Sequence, residues 1–188
     1  AWRPRPLLQI SISGEPWLCC LPEFHVGGLG IFARAFVSAS AVFSLPSWNV
    51  GAFLEKVNAH KIVWTTLVPT QVFDLVAQNI SCPPTVKSIV VGGGVLSDEL
   101  FTKALALGWP LLKSFGMTEA CSQIATQKPV NRANCLQQVH GLSVSDPLLI
   151  LPHMQCEQHQ GLLRFRSTAM LTGYGQIKNG EFFWKSPE

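Results

Sequence analysis

The chain has 188 residues, 47% of them hydrophobic and only 13% charged. That charged share is about half the usual ~25%, which favours burial and excludes a disordered, highly charged chain. The formal net charge is +3 with no Lys/Arg-rich run, so small anionic ligands suit the chain and nucleic acid is not called for.

Residues 1–16 are broken by Pro4, Pro6, Gly14 and Pro16 and read as a lead-in. Trp17–Leu21 is a short apolar run, predicted as a buried strand that Pro22 ends. Gly27 and Gly28 open an apolar helix over 29–38, and Ala41–Leu45 follows as a strand. Val50–Ala59 has helical spacing through Phe53, Leu54 and Val57. Ile62–Val68 is rich in β-branched residues and predicts a strand. Pro69 suits the first turn of a helix over 70–79. Ser88–Val91 is the next strand. Ser97 caps a helix over 98–107, with Asp98 and Glu99 where the helix dipole favours acids and Gly108 as its stop. Leu111-Leu112 starts another short strand.

Short, continuous apolar strands alternating with helices predict an α/β fold, a mainly parallel sheet flanked by helices over 17–130. After about residue 130 the pattern changes. Pro147–Leu151, Leu162–Phe165 and Glu181–Trp184, set among glycines, predict a small antiparallel β-barrel-like subdomain over 131–188. The chain starts without Met and ends at Glu188 with no closing helix, so both ends read as cuts in a longer protein.

No uninterrupted apolar run reaches the roughly 18 residues of a membrane span, and no signal peptide is visible. Six cysteines lie at 19, 20, 82, 121, 135 and 156 without a CxxC pair, which leaves out a zinc motif. They are expected as free thiols in a reducing compartment, hence a cytoplasmic protein. Cys19 and Cys20, adjacent on a strand, should point to opposite faces.

Ligands of parallel sheets bind at the carboxyl ends of strands, and two loops fall there. Phe115-Gly116-Met117-Thr118-Glu119 offers a flat ring, a close backbone approach, a hydroxyl and a carboxylate. A carboxylate among apolar residues needs a partner or a metal, and Glu119 beside Thr118 suits Mg²⁺; by spacing alone an ordinary surface turn is equally open. Gly92-Gly93-Gly94 allows a ligand close to the backbone or forms a tight turn before Ser97. It matches neither the dinucleotide nor the P-loop pattern. Arg34, between Phe32, Ala33, Ala35 and Phe36, must snorkel to water or meet an anion, and its fork fits a carboxylate. His25 sits just past the first strand, as a packed or capping histidine or as a site residue.

Four segments resemble one family in order and spacing. Leu21–Leu29 is similar to "LPLFHVGGL", Val91–Leu96 to "GGAPL", Phe115–Glu119 to "YGMTE", and Gly161–Arg166 with Met170–Tyr174 to "GEIxVRGxxxMxGY". These are motifs of the acyl-adenylate-forming (AMP-binding) acid–CoA ligases, and the resemblance runs from Trp17 onward. Within the family, Phe24–Ile31 with Arg34, Leu67–Gln71 and Gly116–Gln123 look like the subfamily that activates 2-succinylbenzoate for menaquinone or phylloquinone synthesis.

The resemblance implies a ligase that uses ATP with Mg²⁺ and CoA as co-substrate. It implies that Phe115 and Gly116 meet adenine, Gly92, Gly93 and Gly94 line the adenine and acyl pocket, and Thr118 contacts phosphate. Glu119 holds Mg²⁺, and His25 gates the passage between the ATP and acyl or pantetheine sites. Arg34 meets a substrate carboxylate, with Ser122 and Gln123 beside it. The sequence also departs from the pattern. The "TSGTTGxPK" phosphate loop and the C-terminal lid are absent, so the isolated chain is expected to be inactive. Ser186 stands in place of the ribose-binding Asp, Leu162 in place of a Glu, and Phe115 lacks the usual hydroxyl. Two rivals stay open: a homologue that only binds a nucleotide or a partner, and a synthetase for another acid.

Overall fold

The structure is a computed structural model that describes residues 14–128 and 146–186. Five strands, β1 (Trp17–Cys19), β2 (Val42–Ser44), β3 (Trp64–Leu67), β4 (Ser88–Val91) and β5 (Leu111–Met117), pair in parallel in the order β2-β1-β3-β4-β5. Antiparallel β6 (Ser122–Thr126) and β7 (Leu149–Ile150) extend the same sheet beyond β5. This order reverses between β1 and β3, the place where α/β sheets open a crevice at their carboxyl ends.

The four predicted helices form as α1 (Val26–Val37), α2 (Val50–Ala59), α3 (Pro69–Ala77) and α4 (Asp98–Ala106). Their starts are set by local chemistry. Asn49 Oδ1 accepts from Ala52 N at 3.0 Å to cap α2, and Ser97 Oγ accepts from Leu100 N at 3.2 Å to cap α4. Pro69 occupies the first turn of α3, and Gln71 Oε1 accepts from Val68 N at 2.9 Å. Gln71 Nε2 then donates to Cys20 O at 3.1 Å, tying the start of α3 to the end of β1. Gly108, at φ +80°, takes the left-handed turn that follows α4.

Strand alternation sends side chains to two cores. One face, under α2, α3 and α4, is filled by Leu18, Leu67, Ile89 and Leu111 against Phe53, Val72 and Phe101. The other, under α1, holds Trp17, Cys19 and Trp64 against Ile31 and Ala35. Cys19 and Cys20 fall in different cores, as the strand period requires. Cys19, Cys20 and Cys82 are buried free thiols, and Cys121 and Cys156 are exposed free thiols. No helix among the described residues is long and apolar enough to cross a membrane.

Within the expected second subdomain, β7 joins the main sheet, and two separate antiparallel hairpins follow. These are β8 (Gln155–His159) with β9 (Leu162–Arg166), and β10 (Tyr174–Lys178) with β11 (Glu181–Lys185). Mainly parallel sheet, flanking helices and small antiparallel sheets together bear out the predicted fold class. The polar segment Asn131–Asn134, Cys135, Gly141 and most of the lead-in lie outside the described residues.

Candidate functional site at the strand carboxyl ends

β5 runs further than its apolar start suggests. Phe115, Gly116 and Met117, expected in a loop, are the last three residues of the strand. Antiparallel β6 supplies their ladder, pairing Phe115 with Ala125 and Gly116 with Gln123, so Ile124 is the extra residue of a bulge. A Cβ on Gly116 would lie 1.8 Å from Ser122 O, so only glycine fits there. The reversal between the strands is a single turn of 3₁₀ helix, Thr118–Ala120, followed by Cys121 at φ 53° and Ser122 at φ 98°.

Alternation along β5 places Leu111 and Lys113 toward α4, where Lys113 lies over the Phe101 ring, and Leu112 and Ser114 toward α1. There the polar groups connect. Arg34 Nη2 donates to Gln123 Oε1 at 2.7 Å, and Gln123 Nε2 donates to Ser114 Oγ at 3.0 Å. Burial of the guanidinium pulls the Arg34 pKa below its ordinary value. Among the described residues no carboxylate lies within salt-bridge distance of Arg34; the ion pairs there are Lys87–Glu15, Lys103–Glu99 and Lys113–Asp98. A desolvated cation therefore has a neutral amide as its protein partner.

Gly92 follows β4 and lies against Ser114, whose backbone oxygen would be 3.8 Å from an added Cβ. Gly93 takes φ +77°, and Gly93 and Gly94 abut Val68 and Pro69 at the start of α3. The glycine loop and the Arg34–Gln123–Ser114 chain thus share an edge. Phe115 is 40% exposed, its ring 6.0 Å from that of Phe165 on β9.

Thr118 is exposed and Glu119 half-buried at the turn. Tyr174 Oη donates to Glu119 Oε1 at 3.3 Å, and Leu171 N donates to Glu119 O at 2.6 Å. Among the described residues no group of three or more His, Cys, Asp or Glu could cage a metal ion. A lone carboxylate beside a hydroxyl fits Mg²⁺ that arrives on phosphates and keeps its waters.

His25 caps α1 through its backbone, with no side-chain bond, and its exposed ring lies against Phe24. Gly28 lets the first turn of α1 rest on Pro22, whose oxygen would be 2.2 Å from a Cβ. The structure therefore joins Arg34, Gln123 and Ser114, sets Gly92 beside them, and pairs Gly116 with Gln123. It does not bring His25 into hydrogen bonding with the others. Ser114 and Tyr174 were not singled out from sequence as site residues. Ser114 offered one signal, its place two residues before the glycine of the motif.

Residues 5–174 match the family described as AMP-binding enzyme, and the chain belongs to that family. Among its relatives, the 2-succinylbenzoate–CoA ligase of Bacillus subtilis (strain 168) is 32% identical over 123 residues, 65% of this chain and 25% of that protein. The 2-succinylbenzoate–CoA ligase of Staphylococcus aureus (strain JH9) is 28% identical over 173 residues, 88% of this chain and 35% of that protein. The chain thus spans about a quarter to a third of the length of these relatives.

Solved structures share the fold. The o-succinylbenzoate coenzyme A synthetase of Bacillus subtilis, in complex with ATP and magnesium ion, superposes with TM-score 0.70 at 21% identity, covering 89% of this chain and 40% of that one. The N-terminal domain of FACL13 from Mycobacterium tuberculosis gives TM-score 0.68 at 15% identity, covering 93% of this chain and 51% of that one.

Proposed function

We propose that the protein carrying this chain is an ATP-dependent acid–CoA ligase whose acid is 2-succinylbenzoate, on the route to menaquinone or phylloquinone. The observation that carries the substrate is Arg34, a desolvated guanidinium whose side-chain partner among the described residues is a neutral amide. A largely desolvated cation without a counter-charge is costly, and an anionic ligand offsets that cost. 2-Succinylbenzoate has two carboxylates: one reacts, and the other is free to meet a two-pronged fork. The names of the Bacillus and Staphylococcus relatives agree with this reading.

In this reading the aliphatic carboxylate oxygen attacks the α-phosphorus of ATP, and the bond to pyrophosphate breaks. The CoA thiolate then attacks the acyl carbon, and AMP leaves. Arg34 binds the second carboxylate, with Ser122 and Gln123 along the acid. Phe115 stacks on adenine, Gly92, Gly93 and Gly94 line the adenine and acyl pocket, and Gly116 keeps the backbone close. Thr118 contacts phosphate, and His25 gates the passage toward pantetheine. Glu119 would hold the Mg²⁺ that comes with ATP, and that ion supplies charge neutralisation on the phosphates. The partners are thus the acid, ATP and CoA. The free thiols suit a reducing compartment, so a cytoplasmic location belongs to the proposal.

A second reading, a homologue that binds a nucleotide without catalysis, is favoured by one observation: Ser186, exposed after β11, stands where the family has its ribose-binding Asp. Calorimetry with a stable succinylbenzoyl-adenylate analogue separates the two. Tight binding, weakened about a hundredfold in Arg34→Ala as expected for a lost buried charge pair, supports the ligase. Tighter binding of a fatty acyl-adenylate analogue overturns the substrate, and no binding of either overturns the ligase.

A further inference from the structure

Glu119 is gripped by a segment 55 residues away in sequence. Tyr174 donates its hydroxyl to Oε1, and Leu171 N donates to the Glu119 backbone oxygen. The remaining carboxylate oxygen, Oε2, has no protein partner among the described residues. The grip is itself anchored. Tyr174 opens β10 and pairs with Lys185 of β11. The indole of Trp184 covers Gly173, where an added Cβ would lie 2.3 Å from the ring. A larger residue at 173 would displace that indole.

We infer that Tyr174 is the positioning residue for Glu119, holding Oε1 so that Oε2 is presented to the divalent cation that accompanies ATP. This rests on the reading of Glu119 as the cation-holding carboxylate. The physical reason is general. A carboxylate free to rotate meets a cation in many orientations, and a donor fixed on one oxygen removes most of them. The phenol must stay protonated to donate. A phenol of ordinary pKa, about 10, is a donor throughout the neutral range.

Tyr174 is the single tyrosine of the sequence, so a tyrosine-borne probe in the 188-residue chain reports on it alone. Mn²⁺ with ATP then reads the cation by the electron-spin signal of the free ion. Tyr174→Phe is expected to raise the half-saturating Mn²⁺ concentration about tenfold, the usual cost of losing a partner that orients a ligand, and Glu119→Gln to abolish saturation. Wild-type affinity in Tyr174→Phe overturns the positioning role while sparing the reading of Glu119. Measured in the full-length protein, undiminished binding in Glu119→Gln, or none in the wild type, overturns both. Should Tyr174→Phe fail to fold, 3-fluorotyrosine at this one site supplies a fluorine resonance. Mn²⁺ with ATP must broaden it in the wild type and not in Glu119→Gln; an unbroadened resonance overturns the inference.

Discussion

Arg34 Nη2 donates to Gln123 Oε1 at 2.7 Å, joining α1 to β6 across 89 positions of sequence. Gln123 is held in turn by Ser114, so the cation is aimed by two neutral side chains. Removing Gln123 leaves a desolvated donor unsatisfied, a penalty of about 1–3 kcal/mol. On the proposed reading, Gln123→Ala in the full-length protein is expected to raise KM for the acid roughly five- to a hundredfold and to leave KM for ATP in place. Arg34→Lys is expected to be no milder, because an ammonium cannot reproduce the fork. Steady-state kinetics with each substrate varied in turn will show whether the two constants separate.

Gly116 admits no side chain, since a Cβ would sit 1.8 Å from Ser122 O. Gly116→Ala must therefore open the β5–β6 ladder at the bulge. Loss of stability of about 2 kcal/mol or more is expected, in the range of backbone-incompatible substitutions. Urea unfolding followed by tryptophan emission measures it, and a variant as stable as the wild type would contradict the close approach.

The cysteines divide by burial. The Cys20 thiol, buried beside Thr65, is pushed up to about 12 by desolvation, and burial likewise raises Cys19. A folded pKa above the unfolded one means the thiol form is favoured on folding, and that contribution is lost only as pH rises past the unfolded value of about 8.5. At neutral pH, brief treatment with an alkylating reagent should label Cys121 and Cys156 and spare Cys19, Cys20 and Cys82. Peptide mass mapping before and after unfolding distinguishes the groups, and rapid labelling of Cys20 in the native chain would refute its burial.

Phe53 is fully buried between Trp48 and Trp109, with ring centroids 5.2 and 6.2 Å away. It fixes α2 to the α4 side of the sheet. Phe53→Ala is expected to cost about 3–5 kcal/mol, transfer and cavity together. Denaturant titration of the isolated chain tests this; a loss under about 1 kcal/mol would mean the site collapses freely.

Local signals were readable in the sequence. The bounds of α2, the Ser97 cap and the Gly108 stop follow from period, capping and turn chemistry within a few residues. The five parallel strands were readable as apolar runs. β6, β8 and β10 were not: Ser122–Thr126, Gln155–His159 and Tyr174–Lys178 have little apolar content, and their strand form comes from antiparallel partners. The same partner turned Phe115–Met117 from an expected loop into strand. In the site, Arg34 stood out because its neighbours are apolar, and Gln123 could be set beside it only through the family motif, since nothing local links α1 to β6. Tyr174 was visible only as part of a motif, because its contact with Glu119 depends on where a later hairpin docks. His25 was visible by motif and makes no hydrogen bond with the other candidates among the described residues.

The turn at Cys121 and Ser122 lays two recognition duties on the legs of one hairpin. On the proposed reading, β5 faces the nucleotide and β6 begins with the residues beside the acid. A new acid preference can then arise by exchanging residues 122–127 as a cassette while the nucleotide leg is inherited unchanged. One rule constrains such an exchange: the backbone at 122 must still lie flat against Gly116. Substrate diversification in this architecture is therefore limited by a main-chain fit rather than by the side chains that choose the substrate.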